Sequence, residues 1–576
     1  MKEITQSALQ ALYNSHPQAY FLIETVMHQA SSKDWEAITE KADVVDEGRL
    51  NRTIGWHVER ADDRWYSTQQ ETGQNQEPID RYPLGHRFRF FRYKQVRAEI
   101  APTTFVCRKC GYAVSLRKKI AENKLTKNDL SCPQCRIPLK QMVHVFGHPW
   151  CGELAEITPQ RCLECREPAS LIIDSIAFGR SAWVCPNGHK RQLSMNCPAC
   201  TSLGEEKARM TPYAAGAAVK SVSVTMVDIS TAIDWEEVVR KRLAVKQESM
   251  RQLILDQYKH DPIALKAIKY RLDSDEETRR QMYEQFLETH PELRSEQNAL
   301  KQVLGGDPPF IIQRLLTEYH GTQEAAERTP KNPLNHSLRT LISERFHLFP
   351  RYIADLPILQ IVYGYQVGKT RLEEARVRTF DRGWDSVALT HGMSTEAALF
   401  DLNPAGVASW VSARVGAEID ELALHKMLIQ PDAPGKGKSA SQKSKIYQLV
   451  EILLHTLAHL MIRQSEIFTG LSRESLSEMI FTPAIAFALI CEDGSELGAL
   501  RSAFASYRLI DWLNQARSAS RGCALDPVCA EGTITGSAAC HSCLFIAERR
   551  CNGYWNEQLD RRLVSDVRRN DGFWDK

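Results

Sequence analysis

Cys107-Arg108-Lys109-Cys110-Gly111 and Cys132-Pro133-Gln134-Cys135 are separated by 21 residues, giving the pattern C-x2-C-x21-C-x2-C. Two cysteines with two residues between them turn their sulfurs to one side of a tight bend. Two such bends on neighbouring hairpins bring four thiolates to a tetrahedron about 2.3 Å from a zinc ion. The spacing therefore predicts a zinc ribbon with Cys107, Cys110, Cys132 and Cys135 as ligands. Gly111 suits the left-handed turn that lets backbone N–H groups face the sulfurs. The ribbon is also basic. Residues 101–150 hold nine Lys and Arg against Glu122 and Asp129, a local charge of +7.

Reading outward, Cys162-Leu163-Glu164-Cys165 and Cys197-Pro198-Ala199-Cys200 form a second C-x2-C pair of pairs, 31 residues apart. Cys185 and His189 lie inside that gap. The expected ligands are Cys162, Cys165, Cys197 and Cys200, with Cys185 and His189 as alternatives, while Cys151 reads as an ordinary buried thiol. Further on, Cys523, Cys529, Cys540, Cys543 and Cys551 fall within 29 residues. Five cysteines there suggest one zinc and one spare. The expected set is Cys529, Cys540, Cys543 and Cys551, with Cys523 as first replacement. Such closed four-thiolate sites stabilise folds and do not catalyse, so the chain is expected to hold two or three structural Zn2+ ions. Sixteen cysteines in 576 residues are too few for a disulfide scaffold, and clustered Cys-x-x-Cys pairs in a reducing compartment read as metal sites.

At about 150 residues per domain, 576 residues imply several domains, each able to bury a core without disulfides. A net charge of +2 excludes a histone-like basic protein and an acidic disordered one. No apolar run reaches 18 residues and the first residues lack a secretory pattern, so a cytoplasmic protein without membrane spans is expected. The fold class read from the pattern is α+β multidomain: zinc-ribbon modules, a long helical segment and a C-terminal α/β zinc-binding domain. The expected divisions are a mixed α/β region at 1–100, tandem ribbons at 101–204, a strand-rich connection at 205–233, a helical region at 234–330, a mixed region at 331–430, a flexible basic linker at 431–445 and the zinc-binding domain at 446–576. Within these, 4–28 has helical periodicity, 55–66, 87–100, 221–229 and 358–365 read as strands, and 446–467 reads as an apolar core helix.

Several patterns imitate catalytic sites. Gly364-Tyr365-Gln366-Val367-Gly368-Lys369-Thr370 is one residue short of a phosphate loop. His455-Thr456-Leu457-Ala458-His459 places two imidazoles one helical turn apart, but lacks the glutamate of the H-E-x-x-H pattern and sits in an apolar helix. Two hydrogen-bonded core histidines are the preferred reading. Arg87-Phe88-Arg89-Phe90-Phe91-Arg92-Tyr93-Lys94 interleaves cations with aromatics, as surfaces that stack bases and contact phosphates do; an amphipathic strand with an aromatic core face is the competing reading. The candidate nucleic-acid contacts are Arg87, Arg89, Arg92 and Lys94 here, with Arg108, Lys109, Arg117, Lys118 and Lys119 on the first ribbon.

The C-terminal third carries a family pattern: Leu453-Leu-His-Thr-Leu-Ala-His-Leu460, then Glu492-Asp-Gly-Ser-Glu-Leu-Gly498, Cys523-Ala-Leu-Asp-Pro-Val-Cys529, Ala539-Cys-His-Ser-Cys543, Cys551, Asn556 and Leu559-Asp560-Arg561. Over residues 446–565 this resembles the MrfA-like zinc-binding domain. That domain is found at the C-terminus of some superfamily-2 helicases and in the DrmB-like helicase-partner subunits of DISARM anti-phage systems. The chain has no helicase motifs, so the resemblance is to the DrmB type. It implies a non-catalytic, zinc-binding accessory subunit that docks on a superfamily-2 helicase and contacts DNA, without base specificity, to help load or activate it. A metal-dependent nuclease around His455 and His459, and a purely structural bridge, are the alternatives.

Overall fold

A computed structural model describes residues 12–13, 15–23, 26–30, 39–44, 46–71, 88–149, 151–174, 180–194, 196–197, 208–213, 218–229, 254–255, 257–274, 276–289, 309–329, 333–367, 376–382, 385–430, 442–492, 498–532 and 537–575. The architecture is mixed α/β and multidomain. Two compact units comprise Met1–Thr225 with Leu359–Gly392, and Met226–Ile358 with Met393–Lys576. Among the described residues, no helix is long and apolar enough to cross a membrane.

The first unit begins with an antiparallel hairpin, Tyr20–Ile23 on Val26–Ala30, extended by Ala98–Ile100. The helical reading of 4–28 fails over this stretch because Tyr20, Phe21, Ile23 and Val26 are aromatic and β-branched, and they pair in register. The strand reading of 55–66 fails in the opposite sense. Glu47–Glu71 is one helix, and Leu50, Ile54 and Val58 recur every fourth residue on its buried side. Phe88–Tyr93 is the strand expected there. It lies parallel to the start of the strand Asp385–Leu402 and antiparallel to Thr39–Lys41. Gly364 sits inside the strand Leu348–Val367, opposite Thr379. Sheet register, not a phosphate loop, accounts for it.

Residues 104–212 build three small antiparallel sheets of three strands each. The first is Ala113–Ser115, Thr104–Val106 and Lys140–Gln141; the second is Ser170–Ile172, Ala182–Val184 and Lys190–Gln192; the third is Leu154–Glu156, His144–Gly147 and Arg209–Pro212. The first keeps a small cluster of its own, with Phe105, Leu116 and Leu139 buried beside Cys107 and Cys132. Ala113, Met142, Ile157, Leu171, Trp183, Leu193 and Met210 pool into one shared cluster.

The second unit is built in layers. Leu476–Phe481 pairs with Ala486–Cys491, which pairs with residues 397–401 of the strand Asp385–Leu402. Both faces are buried, and period-two alternation sorts the side chains. Ala397, Leu399, Met479, Phe481, Ala486, Ala488 and Ile490 pack towards the helix Phe310–Arg328. Phe400, Ile480, Phe487 and Leu489 pack towards the helices Gln442–Thr469 and Arg508–Ser520. Gln442–Thr469 contains the apolar helix expected at 446–467. Its Leu453, Leu454, Leu457, Leu460 and Met461 are fully buried, and Met461 O accepts the indole N–H of Trp512 at 2.8 Å. Asp261 is the N-cap of Pro262–Leu272 and accepts from the backbone of Ile263 and Ala264. Residues 230–253 and 431–441, which cover the start of the helical region and most of the expected linker, lie outside the described residues.

Leu457 stands at the centre of the larger cluster with no exposure. Leu457→Ala is expected to destabilise the second unit by about 2–5 kcal/mol, read as a lowered denaturation midpoint with little change in slope.

Candidate metal centres

Four short turns share one backbone design. The first donor residue's N–H donates to the carbonyl five residues on. The residue after the second donor returns its N–H to the first donor's carbonyl. These pairs are Cys107 to Tyr112 and Gly111 to Cys107; Cys132 to Ile137 and Arg136 to Cys132; His148 to Glu153 and Gly152 to His148; and Cys162 to Glu167 and Arg166 to Cys162, all between 2.8 and 3.0 Å. Gly111, Arg136, Gly152 and Arg166 all take positive φ, between +58° and +73°. The turn exposes backbone N–H groups to both donors: Cys132 Sγ, a first donor, accepts the N–H of Cys135 at 3.4 Å, and Cys165, a second donor, accepts that of Glu167.

The first module gathers Cys107, Cys110, Cys132 and Cys135, whose sulfurs all lie within 4.8 Å of one another, with Cys110 to Cys132 at 3.7 Å. This is the grouping the spacing predicts. Burial pushes the Cys107 thiol up, but hydrogen bonds from the backbone of Cys110 and Lys109 bring it down to about 7. The second module gathers Cys162, Cys165, Cys185 and His189 within the same limit. Cys162 Sγ lies 3.5 Å from His189 Nδ1, and Cys165 Sγ lies 3.6 Å from Cys185 Sγ. The backbone N–H of Glu167 and the His189 ring hold Cys165 down to about 6. Cys197, expected here, sits elsewhere; Cys200 lies outside the described residues. The reason is topological: Ala182–Val184 and Lys190–Gln192 form a hairpin beside Ser170–Ile172, and its turn carries Cys185 and His189 to the Cys162 turn.

Cys197 Sγ instead lies 3.5 Å from Cys151, which is 3.0 Å from His148 Nδ1, making a three-donor group. The sequence reading missed this turn. Its signal was available in His148-Pro-Trp-Cys151-Gly152, which keeps the donor-x2-donor-Gly spacing of the first module with histidine in first place.

In the second unit Cys523, Cys529, Cys540 and Cys543 converge, with Cys523 to Cys540 at 3.6 Å and Cys529 to Cys543 at 3.8 Å. The fourth place is taken by Cys523, and Cys551 lies in a separate, fully buried group with His455, His459 and Glu478. Spacing could not separate the two because both cysteines are close enough along the chain. Three-dimensional packing decides: the turn Glu548–Arg550, with Arg550 ion-paired to buried Glu492, leads Cys551 inward under the helix Gln442–Thr469.

No disulfide joins these sulfurs, and donors gathered this closely could hold a cation. Thiolate and imidazole at tetrahedral separation suit Zn2+.

The candidate nucleic-acid residues divide by environment. Arg108, Lys109, Arg117, Lys118 and Lys119 are all exposed around the first module, with Lys119 ion-paired to Asp129. Arg89, Arg92 and Lys94 are exposed, and Arg92 lies 3.8 Å from Glu40. Arg87 lies outside the described residues. Of the aromatics between these cations, Phe88 and Phe90 are 1% and 2% exposed and belong to the core, so they are not free to stack on bases, while Phe91 and Tyr93 are half-buried.

A family model described as a domain of unknown function (DUF8724) matches residues 6–212, ending at the last strand of the third small sheet. The chain is also similar to the DISARM protein DrmB of Bacillus paralicheniformis (strain ATCC 9945a / NCIMB 11709 / CD-2), with 29% identity over 126 residues. That match covers 20% of this chain and 22% of the relative, so it spans about a fifth of the relative's length. It supports a relationship to DISARM-type defence components.

Cys185→Ser is expected to lower zinc content by one equivalent, whereas Cys197→Ser should leave the Cys162 centre loaded. Native mass spectrometry of the intact chain reads both.

Proposed function

We propose that this chain is a non-catalytic zinc-binding accessory subunit of a prokaryotic anti-phage defence complex. In this reading it docks on a superfamily-2 helicase and contacts DNA to help load or activate it. The observation that carries the reading is the pairing of likeness to a DISARM protein with donor groups that are complete in themselves. Two groups have four sulfurs and one has three sulfurs and an imidazole. A four-donor tetrahedron leaves no position for substrate or activated water, so its contribution is to shape and stiffness. Residues 101–204 then act as tandem zinc ribbons, and residues 446–576 as an MrfA-like zinc-binding domain.

The DNA contact is assigned to the exposed cations of the first ribbon, Arg108, Lys109, Arg117 and Lys118, with Lys119 shared with Asp129. Arg87, Arg89, Arg92 and Lys94 would extend the phosphate contacts. With Phe88 and Phe90 buried and Phe91 packed half-buried against the core, binding in this reading rests on charge more than on base stacking. The nuclease alternative places chemistry at His455 and His459, but both are fully buried and do not present a surface to a phosphodiester.

The first experiment is co-purification of the tagged chain with the products of its neighbouring genes, followed by mass measurement of any complex with a superfamily-2 helicase. A stoichiometric pair supports the reading, and two monodisperse separate proteins overturn the docking. On that complex or the chain alone, DNA affinity is expected to fall steeply between about 50 and 200 mM salt. The double substitution Arg117→Glu with Lys118→Glu should weaken binding equally across sequences. It should also flatten the salt dependence by about one unit of slope for each phosphate no longer neutralised. Unchanged affinity would favour the structural bridge; divalent-metal-dependent cleavage abolished by His455→Ala would favour the nuclease.

A further inference from the structure

Inside the second unit, apart from the cysteine-rich centres, four donors meet in a space with no solvent access. His455 and His459 lie one turn apart on the helix Gln442–Thr469, with their rings 4.4 Å apart. Glu478 comes from the strand Leu476–Phe481; the alternation that turns Leu476 and Ile480 towards that helix turns Glu478 the same way. Cys551 comes from the C-terminal segment. All four side chains are at most 1% exposed, and their donor atoms lie within 4.8 Å of one another.

The hydrogen bonds around the group fix what its centre contains. His455 Nδ1 is 3.1 Å from the carbonyl of Gln558, and His459 Nδ1 is 2.9 Å from the carbonyl of Leu544. A carbonyl only accepts, so each Nδ1 carries the N–H and each Nε2 faces inward. Both Nε2 atoms face Glu478: His455 Nε2 is 3.2 Å from Oε1, and His459 Nε2 is 2.9 Å from Oε2. Among the described residues, Glu478 has no hydrogen-bond donor beyond this group. Cys551 Sγ completes the set, 3.3 Å from His455 Nε2, and accepts the backbone N–H of Asn556 at 3.0 Å. Four groups that can each ligate a metal thus converge in a buried interior, where a carboxylate is costly unless a cation lies beside it.

We infer that His455 Nε2, His459 Nε2, a Glu478 oxygen and Cys551 Sγ form a buried zinc site separate from the cysteine-rich centres. Two imidazoles, one carboxylate and one thiolate are a tetrahedral borderline set. The thiolate disfavours Mg2+ and Ca2+, and the backbone carbonyls on both Nδ1 atoms are the outer partners that orient metal-bound histidines. The site is closed, so its role is to staple the C-terminal segment to the helix and strand of the layered core. Burial also separates it kinetically: its ion leaves only when the core opens, while the half-exposed clusters release theirs to a chelator directly.

The test uses the intact chain. Zinc is stripped under native conditions with excess 4-(2-pyridylazo)resorcinol and the remainder is released in guanidinium. One equivalent is expected to survive the native step and appear on denaturation; no further zinc on denaturation overturns the site. Cys551→Ala, checked by its native charge-state distribution, should lose that equivalent and keep the others. If this variant is folded and keeps the full complement, the assignment is wrong. Should it fail to fold, X-ray absorption of the chelator-resistant zinc in the unsubstituted chain decides: two nitrogens, one oxygen and one sulfur support the site, and a four-sulfur shell overturns it.

Discussion

Like charges do not gather without a counter-charge, and most of this molecule's smaller architecture follows from that constraint. Sulfurs held within 4.8 Å of one another, on modules whose strands run only two to four residues, make sense as a cage around a cation. Their apolar clusters are small: Phe105, Leu116 and Leu139 in the first module, and Met142, Leu171, Trp183 and Met210 pooled from the three sheets. A cation held there would tie metal affinity to folding in this region.

The layered unit is held differently. Its sheet is buried on both faces and its central helix is surrounded, so it has the apolar area to fold by burial alone. Its polar groups are accordingly specific: Tyr352 on Glu396, Ser477 and Arg550 on Glu492, and Asn556 bonded to both backbone groups of Ile546. One of these, Arg550 on Glu492, ties the last 40 residues, which have almost no regular structure, to the core. The His455, His459, Glu478 and Cys551 group also joins that segment to the core and differs in chemistry, since all four can ligate a metal.

What the sequence disclosed follows the range of each signal. Cys107 to Cys135 was legible because both turns and their partner lie on one hairpin system, where spacing alone sets geometry. The long apolar helix and the strand at 358–365 were legible from local periodicity. Cys185 with His189 was hidden because a hairpin, not chain distance, brings them to Cys162. Cys523 and Cys551 exchange roles because the buried Arg550–Glu492 pair directs the chain inward, an interaction 58 residues apart. His148 was overlooked because a histidine in the first place breaks the cysteine pattern while obeying the same backbone rule. The interleaved segment around Phe88 has the same one-dimensional pattern whether its aromatics face a base or a core; only a neighbouring strand settles which.

The turns that present the donors also set a charge balance that amino-acid counting misses. Arg136 and Arg166 occupy the left-handed position on exposed turns, while Gly111 and Gly152 occupy it where a Cβ would collide with Leu171 O or the Arg378 side chain. The arginines therefore place cations beside sulfurs that become thiolates on loading. With zinc in the two four-sulfur centres and the Cys162 centre, eleven thiol protons are exchanged for six positive charges, and the formal charge moves from +2 to −3. With the first centre loaded, residues 101–150 would go from +7 to +5 (four thiol protons lost, two charges gained), so that module would stay locally basic in a chain whose formal charge has become negative.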